Sequence, residues 1–304
     1  MSADLPPTID PRAAARWSRH LHPASPWLHE EIGRRMQERL QWIRLQPRSW
    51  VDWEPMAGGM QVHAAVAQAY PQAVCWVVEP DGARQQAVTQ ALHTPWWNAA
   101  RWRRPPPRFG IPPDGTADMV WANMSLHMQA DPAGLLRRWG QLLATNGFLM
   151  FSCLGPDTLI ELRALYQSMG WPAPAHEFTD MHDWGDMLVQ AGFAEPVMDM
   201  ERLTLTFTSP DKLFAELRGL GRNLYGQRFA GLRARGWQAQ LQRELVAAQT
   251  AQRPGEPLTL TFEVIYGHAL KPPPRVLVQP ETVLSLQEMR QVLQQGRRDA
   301  APKS

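Results

Sequence analysis

Ser49-Trp50-Val51-Asp52-Trp53-Glu54-Pro55-Met56-Ala57-Gly58-Gly59 opens the part of the chain that decides its fold. Its first five residues form a short, largely apolar run suited to a strand, and Pro55 with the glycine pair interrupts it. Residues 60–70 carry a helical pattern stopped by Pro71, and residues 74–79 are a continuous apolar run ending in Glu79. A run without alternation fits a strand buried on both faces. Strand, helix, strand in this order is the unit from which parallel sheets are built.

The same rhythm continues outward. A helix over 81–93, a short strand near 101–104 and a strand over 118–123 are expected. Asp131-Pro132 then opens a helix that buries Leu135, Leu136, Trp139, Leu142 and Leu143, stopped by Asn146-Gly147 before a strand over 148–153. Toward the N-terminus, Ser25-Pro26 begins a helix whose Leu28, Ile32, Met36, Leu40 and Ile43 form one apolar stripe. Beyond 153 the pattern predicts helices over 157–169, capped by Asp157, and 180–191, then a half-exposed strand over 197–207. Ser209-Pro210 opens a helix carrying Leu213, Phe214, Leu217 and Leu220, a second follows over 236–249, and 257–270 is the last strand. The result is an α/β fold built on a parallel sheet with helices on both faces.

Composition sets the outer bounds. The 304 residues suffice for one α/β domain with an insertion and two tails, and the net charge of +2 makes the molecule no polycation. Cys75 and Cys153, both in expected strands, are too few for a disulfide framework and read as small buried hydrophobes. No run of about 18 apolar residues suggests a membrane span, and no secretory signal is visible, so the expected location is cytoplasmic. No cysteine–histidine cluster suggests zinc, and no Gly-x4-Gly-Lys phosphate loop occurs.

Four segments acting together carry a family resemblance: residues 151–163 (Phe-Ser-Cys-Leu-Gly-Pro-Asp-Thr-Leu, then Glu161-Leu162-Arg163), residues 180–201, Asp118-Met119-Val120-Trp121-Ala122-Asn123 through Leu126, and Glu263-Val264-Ile265-Tyr266-Gly267-His268-Ala269. They resemble the malonyl-acyl-carrier-protein O-methyltransferases of biotin synthesis, which are class I S-adenosylmethionine-dependent methyltransferases. The resemblance implies a Rossmann-like seven-stranded sheet with a helical insertion before the last strand. It divides the chain into an N-terminal helical segment covering the site (1–48), a methyltransferase domain (49–271, with 208–256 as insertion or lid) and a Pro-rich tail (272–304).

The resemblance also implies where S-adenosylmethionine binds. The family's Asp-x-Gly-x-Gly-x-Gly loop corresponds here to residues 52–58. Asp52 and Gly58 keep their places, Gly59 lies beside them, and Glu54 and Met56 replace glycines. Glycines serve such a loop by letting the backbone turn and approach a ligand closely. A glutamate there repels the cofactor carboxylate, and Pro55 biases Glu54 toward extended backbone. Two readings stay open: a rebuilt loop that still binds cofactor through Ala57-Gly58-Gly59, or an inactive pseudoenzyme kept as a carrier-protein interaction module. Glu79, some 27 residues after Asp52, stands where the family's acidic residue accepts the ribose hydroxyls; the alternative is a solvated strand end. Asn123 at the end of the fourth strand floors the cofactor pocket or is a turn asparagine. Trp17 matches a covering tyrosine or simply packs.

Methylation of a carboxylate needs no general base, because the acceptor is ionised at neutral pH. It does need a cation to hold that carboxylate, and Arg163 is the first candidate, against a surface role. His127 faces the transferred methyl or packs in the wall. Lys212, Arg218 and Arg222, among other arginines of the insertion, suit docking of an acidic acyl-carrier protein, against an ordinary solvated face. Nucleic-acid binding is weaker, for want of a base-stacking array.

Overall fold

In a computed structural model describing residues 9–20, 24–93, 104–231, 233 and 235–274, the decisive stretch lies at the centre of the sheet. Strand β1 (Ser49–Trp53) pairs in parallel with β2 (Val74–Val78) on one side and β4 (Ala117–Ala122) on the other. Trp50, Val51, Val77, Met119 and Val120 are fully buried, which is why these strands lack alternation. Outward from β4, β5 (Leu143–Leu154) is parallel, while β7 (Leu258–Leu270) runs antiparallel between β5 and the edge strand β6 (Ala194–Phe207). With β3 (Arg108–Phe109) at the other edge, the order is β3-β2-β1-β4-β5-β7-β6, the seven-stranded sheet expected.

The third strand departs from expectation. Residues 101–103 lie outside the described residues, and β3 is Arg108–Phe109, two exposed residues paired with Trp76 and Val77. A strand that short leaves no apolar signature.

Helices α1 (Pro11–Ser18), α2 (Trp27–Arg39), α3 (Pro55–Gly58), α4 (Met60–Ala69), α5 (Gly82–Ala91), α6 (Pro132–Leu142), α7 (Ile160–Ser168), α8 (Met181–Gln190), α9 (Pro210–Leu220) and α10 (Arg235–Gln252) complete the compact unit, which extends to Pro272. The weakly helical stretch expected near 284–293 falls outside the described residues. Side chains of Asp81, Asp131, Asp180 and Ser209 accept first-turn N–H groups of α5, α6, α8 and α9, which fixes their starts. Asp157 does not cap α7; it pairs with Arg202 and its own N–H is taken by Glu263, so α7 starts three residues later, after a left-handed Leu159. On α2 the stripe Leu28, Ile32, Met36 is buried as expected. Its polar face ties to the sheet edge: Arg35 reaches Glu201 at 2.8 Å and Arg39 reaches Asp199 at 2.7 Å, both on β6. Cys75 and Cys153 are buried free thiols. Among the described residues, no helix is long and apolar enough to cross a membrane and no metal-ligand cluster occurs.

Candidate active site

The connection from β1 to α4 shapes the carboxyl edge of the sheet, where ligands of parallel α/β folds bind. Glu54 takes up the left-handed region (φ 60°, ψ 50°) rather than extended backbone, and its N–H donates to Val78 O at 2.8 Å. Pro55 disfavours only the right-handed form, so the glycine-like turn survives with a glutamate in it, at a cost of about 1 kcal/mol. The short helix α3 follows, and Gly59 (φ 140°) leads into α4. The open N-terminus of α4 is capped from α2: Glu30 accepts Gln61 N–H at 3.1 Å and Val62 N–H at 3.0 Å, and Ser25 Oγ accepts Met60 N–H at 3.3 Å. Ser25 therefore serves α4, not α2. A Cβ on Gly59 would stand 2.8 Å from Glu30 Oε2, and one on Gly58 would stand 2.8 Å from Asn123 O. The retained glycines thus permit close packing of the chain on itself.

The other loop-edge residues are similarly engaged. Asp52 Oδ2 lies 2.7 Å from His63 Nδ1, both buried. Asn123 donates to His29 O (2.8 Å) and to Gly58 O, and accepts from Ser152 Oγ at 2.6 Å. Glu79 Oε1 accepts Met56 N–H at 2.8 Å, while Oε2 is 2.8 Å from Arg84 Nη2. Arg84 also stands 3.3 Å from Glu54 and donates to Ser18 O at 2.9 Å. A buried Glu54–Arg84–Glu79 triad results, tying α1, the rebuilt loop and the end of β2. Burial raises the Glu54 carboxyl above its ordinary range and pushes Glu79 up to about 7, against the opposing pull of Arg84.

Two cavities adjoin at this edge, sharing Met128 and Leu220. The first, about 250 Å³, is lined by Trp17, His29, Glu54, Arg84, Ser125 and Asp131 among others. Ser125 Oγ is buried there without a hydrogen-bond partner. His29 Nδ1–H donates to Ala57 O at 2.7 Å, and burial lowers this imidazole to about 4, leaving it neutral. The second, about 350 Å³, lies beneath the α9–α10 insertion and is mainly apolar. His127 and His176 are in its wall; burial holds His127 well below its ordinary range and lowers His176 to about 4. His176 Nε2–H donates to His127 O at 2.9 Å.

Of the residues singled out in the sequence, the structure brings Trp17 to the first cavity and His127, Arg218 and Arg222 to the second. Arg218, Arg222 and Lys212 are exposed, with Lys212 outside the lining. Asp52, Gly58, Gly59, Glu79 and Asn123 line neither cavity; Asn123 and Glu79 contact the lining residues His29 and Arg84 of the first. Arg163 lines neither: its Nε and Nη2 donate to Thr158 O (3.0 Å) and His176 O (2.8 Å). Sequence reading missed Arg84, His29, Ser125 and Asp131 as cavity residues.

Residues 19–195 match a family model described as a methyltransferase domain. The malonyl-[acyl-carrier protein] O-methyltransferase of Gallionella capsiferriformans is 38% identical over 266 residues, covering 83% of this chain and 87% of that protein. The same-named protein of Nitrosospira multiformis is 32% identical over 278 residues, covering 84% and 86%. Among solved structures, the YcgJ protein from Bacillus subtilis superposes with a TM-score of 0.51 at 14% identity, covering 81% of this chain and 99% of that one, a likeness of fold alone. The chain thus belongs to the methyltransferase family, in the group that includes the malonyl-[acyl-carrier protein] O-methyltransferases.

Proposed function

We propose that this chain uses S-adenosylmethionine to methylate the free carboxylate of a malonyl group carried by an acyl-carrier protein. The observation that carries this is the pair of adjoining cavities, one carrying charged and hydroxyl groups and one mainly apolar, meeting at Met128 and Leu220 in a chain of this family. The first cavity suits the donor: it has the Asp131 carboxylate for a cation, an indole face from Trp17, and the unpartnered Ser125 hydroxyl. When bound, S-adenosylmethionine supplies an electrophilic methyl group on a cationic sulfur. Arg84, Ser125 and Asp131 would provide its polar contacts and Trp17 would cover it, while Glu54, paired with Arg84, narrows the space for it. Glu79 acts from behind as the counter-ion of Arg84, and Asp52, Gly58, Gly59 and Asn123 hold the frame.

The apolar cavity takes the acyl thioester and excludes water, which strengthens every charge interaction inside it. The acceptor carboxylate arrives ionised, so neutral His127 has no proton to remove and acts as wall. Kinship over most of a relative's length favours this reading over an inactive module. The exposed cations Lys212, Arg218 and Arg222 on and after α9 give the acidic carrier protein a basic approach. Labelled methyl transfer to malonyl-carrier protein is the test: label is expected in the malonyl and not the acetyl form. No transfer, together with no thermal shift at millimolar S-adenosylmethionine, would overturn the reading.

A further inference from the structure

Among the described residues, the apolar cavity under the insertion is lined by three cations, Arg218, Arg222 and Arg233, and by no carboxylate. Neutral histidines contribute no charge. A mainly apolar space whose charged lining residues are all cations suits an anion. The three arginines are not equivalent. Arg218 is exposed at the mouth. Arg222, also exposed, spends Nη1 on the carbonyls of Arg218 and Gly221 and lies 5.6 Å from the Trp17 ring. Arg233 is half-buried, and its guanidinium carbon stands 3.9 Å over Trp237 and 4.8 Å from Phe229, with Tyr166 and Trp171 beyond. Among the described residues it enters no ion pair and no hydrogen bond. The aromatic cage orients the guanidinium through its face and leaves the N–H donors available.

We propose that Arg233 is the residue that selects a carboxylate-bearing acyl group, by a charge-assisted, two-pronged contact with the free carboxylate of the substrate. This rests on the reading above that the acceptor is a carboxylate on a carrier-bound thioester. It moves to Arg233 the role that the sequence suggested for Arg163, whose donors serve backbone carbonyls. An uncharged acyl group of similar length would leave the Arg233 donors unpaired in an apolar space, and that is the source of discrimination.

The test is binding of malonyl- and acetyl-carrier protein to the full chain by fluorescence anisotropy, with methyl transfer measured in parallel. The native chain is expected to prefer the malonyl form at least tenfold. Arg233→Gln should abolish that preference while leaving affinity for the acetyl form within about twofold. Arg233→Lys should restore part of the preference, since it keeps the charge without the fork. Trp237→Leu removes the platform but keeps the arginine and should reduce the preference to an intermediate value. Near-UV circular dichroism of each variant separates loss of recognition from loss of packing. A native chain without preference, or an Arg233→Gln chain that keeps it, overturns the assignment. Preference without any methyl transfer supports the assignment and retracts only the catalytic part of the proposed function.

Discussion

Replacing Glu79 by glutamine isolates the electrostatics of the buried triad. Burial pushes the Glu79 carboxyl from an ordinary 4.5 up to about 7 despite Arg84 at 2.8 Å. A group whose folded value lies above its unfolded one holds its proton longer in the folded state. Its contribution to stability is therefore complete below the unfolded value and is lost as pH rises through the folded value. The interval corresponds to about 3 kcal/mol, of which about 2 kcal/mol falls between pH 5.5 and 8. Glutamine mimics the protonated acid and does not titrate. Relative to the native chain, Glu79→Gln should thus gain about 2 kcal/mol between pH 5.5 and pH 8. The buried histidines His29 and His176, lowered to about 4, work in the opposite direction as pH falls below 6.5. They are common to both proteins and cancel in the difference. Urea denaturation of both chains at the two pH values gives the numbers. If the variant instead loses stability relative to the native chain on going to pH 8, the ion pair with Arg84 outweighs burial.

Three further outcomes follow from the same site. Changing Glu54 and Met56 together to glycine should raise S-adenosylmethionine affinity in calorimetric titration, since Glu54 occupies the cavity wall and a left-handed backbone suited to glycine; unchanged affinity means the loop does not limit binding. Gly59→Ala should destabilise the fold by about 1–3 kcal/mol in the same urea assay, because both its φ of 140° and the Glu30 oxygen 2.8 Å from a Cβ oppose it. Reversing Arg218 and Arg222 to glutamate should slow association with carrier protein in stopped-flow at low salt and have less effect at high salt; an unchanged low-salt rate would shift the docking surface toward Arg34 of α2, which is exposed though paired with Glu31 and Glu38.

Much of the fold was legible because burial writes directly into sequence. The runs that became β1, β2, β4 and β5 are apolar since helices cover both faces, and Asp81, Asp131, Asp180 and Ser209 sit where α5, α6, α8 and α9 begin. The site was less legible, because a residue type does not say which partner it meets. Asp52 and Asn123 have the right chemistry for a ligand, yet their polar atoms are spent on His63, His29, Gly58 and Ser152. Asp157 looked like a cap until Arg202, from a strand 45 residues away, took its carboxylate. Arg84 left no local trace at all; it matters only because folding sets it between carboxylates from two other segments. Arg233 was visible as one charge among many, and its aromatic cage comes from α7, the loop after it, and the insertion itself.

The triad also restricts the order in which its members could have been exchanged for those of a glycine-bearing loop. Glutamate arriving first at position 54 would lie buried near Glu79 with no cation between them, an arrangement costing several kcal/mol. Arginine arriving first at position 84 meets Glu79 at once and leaves no charge unpaired. Only then does position 54 become tolerant of an acid. Reversion has the mirror-image constraint: Glu54 can return to glycine freely, whereas losing Arg84 while Glu54 remains is a step the fold resists. Single-residue comparison at either position would miss this, because the acceptable residue at one depends on what already stands at the other.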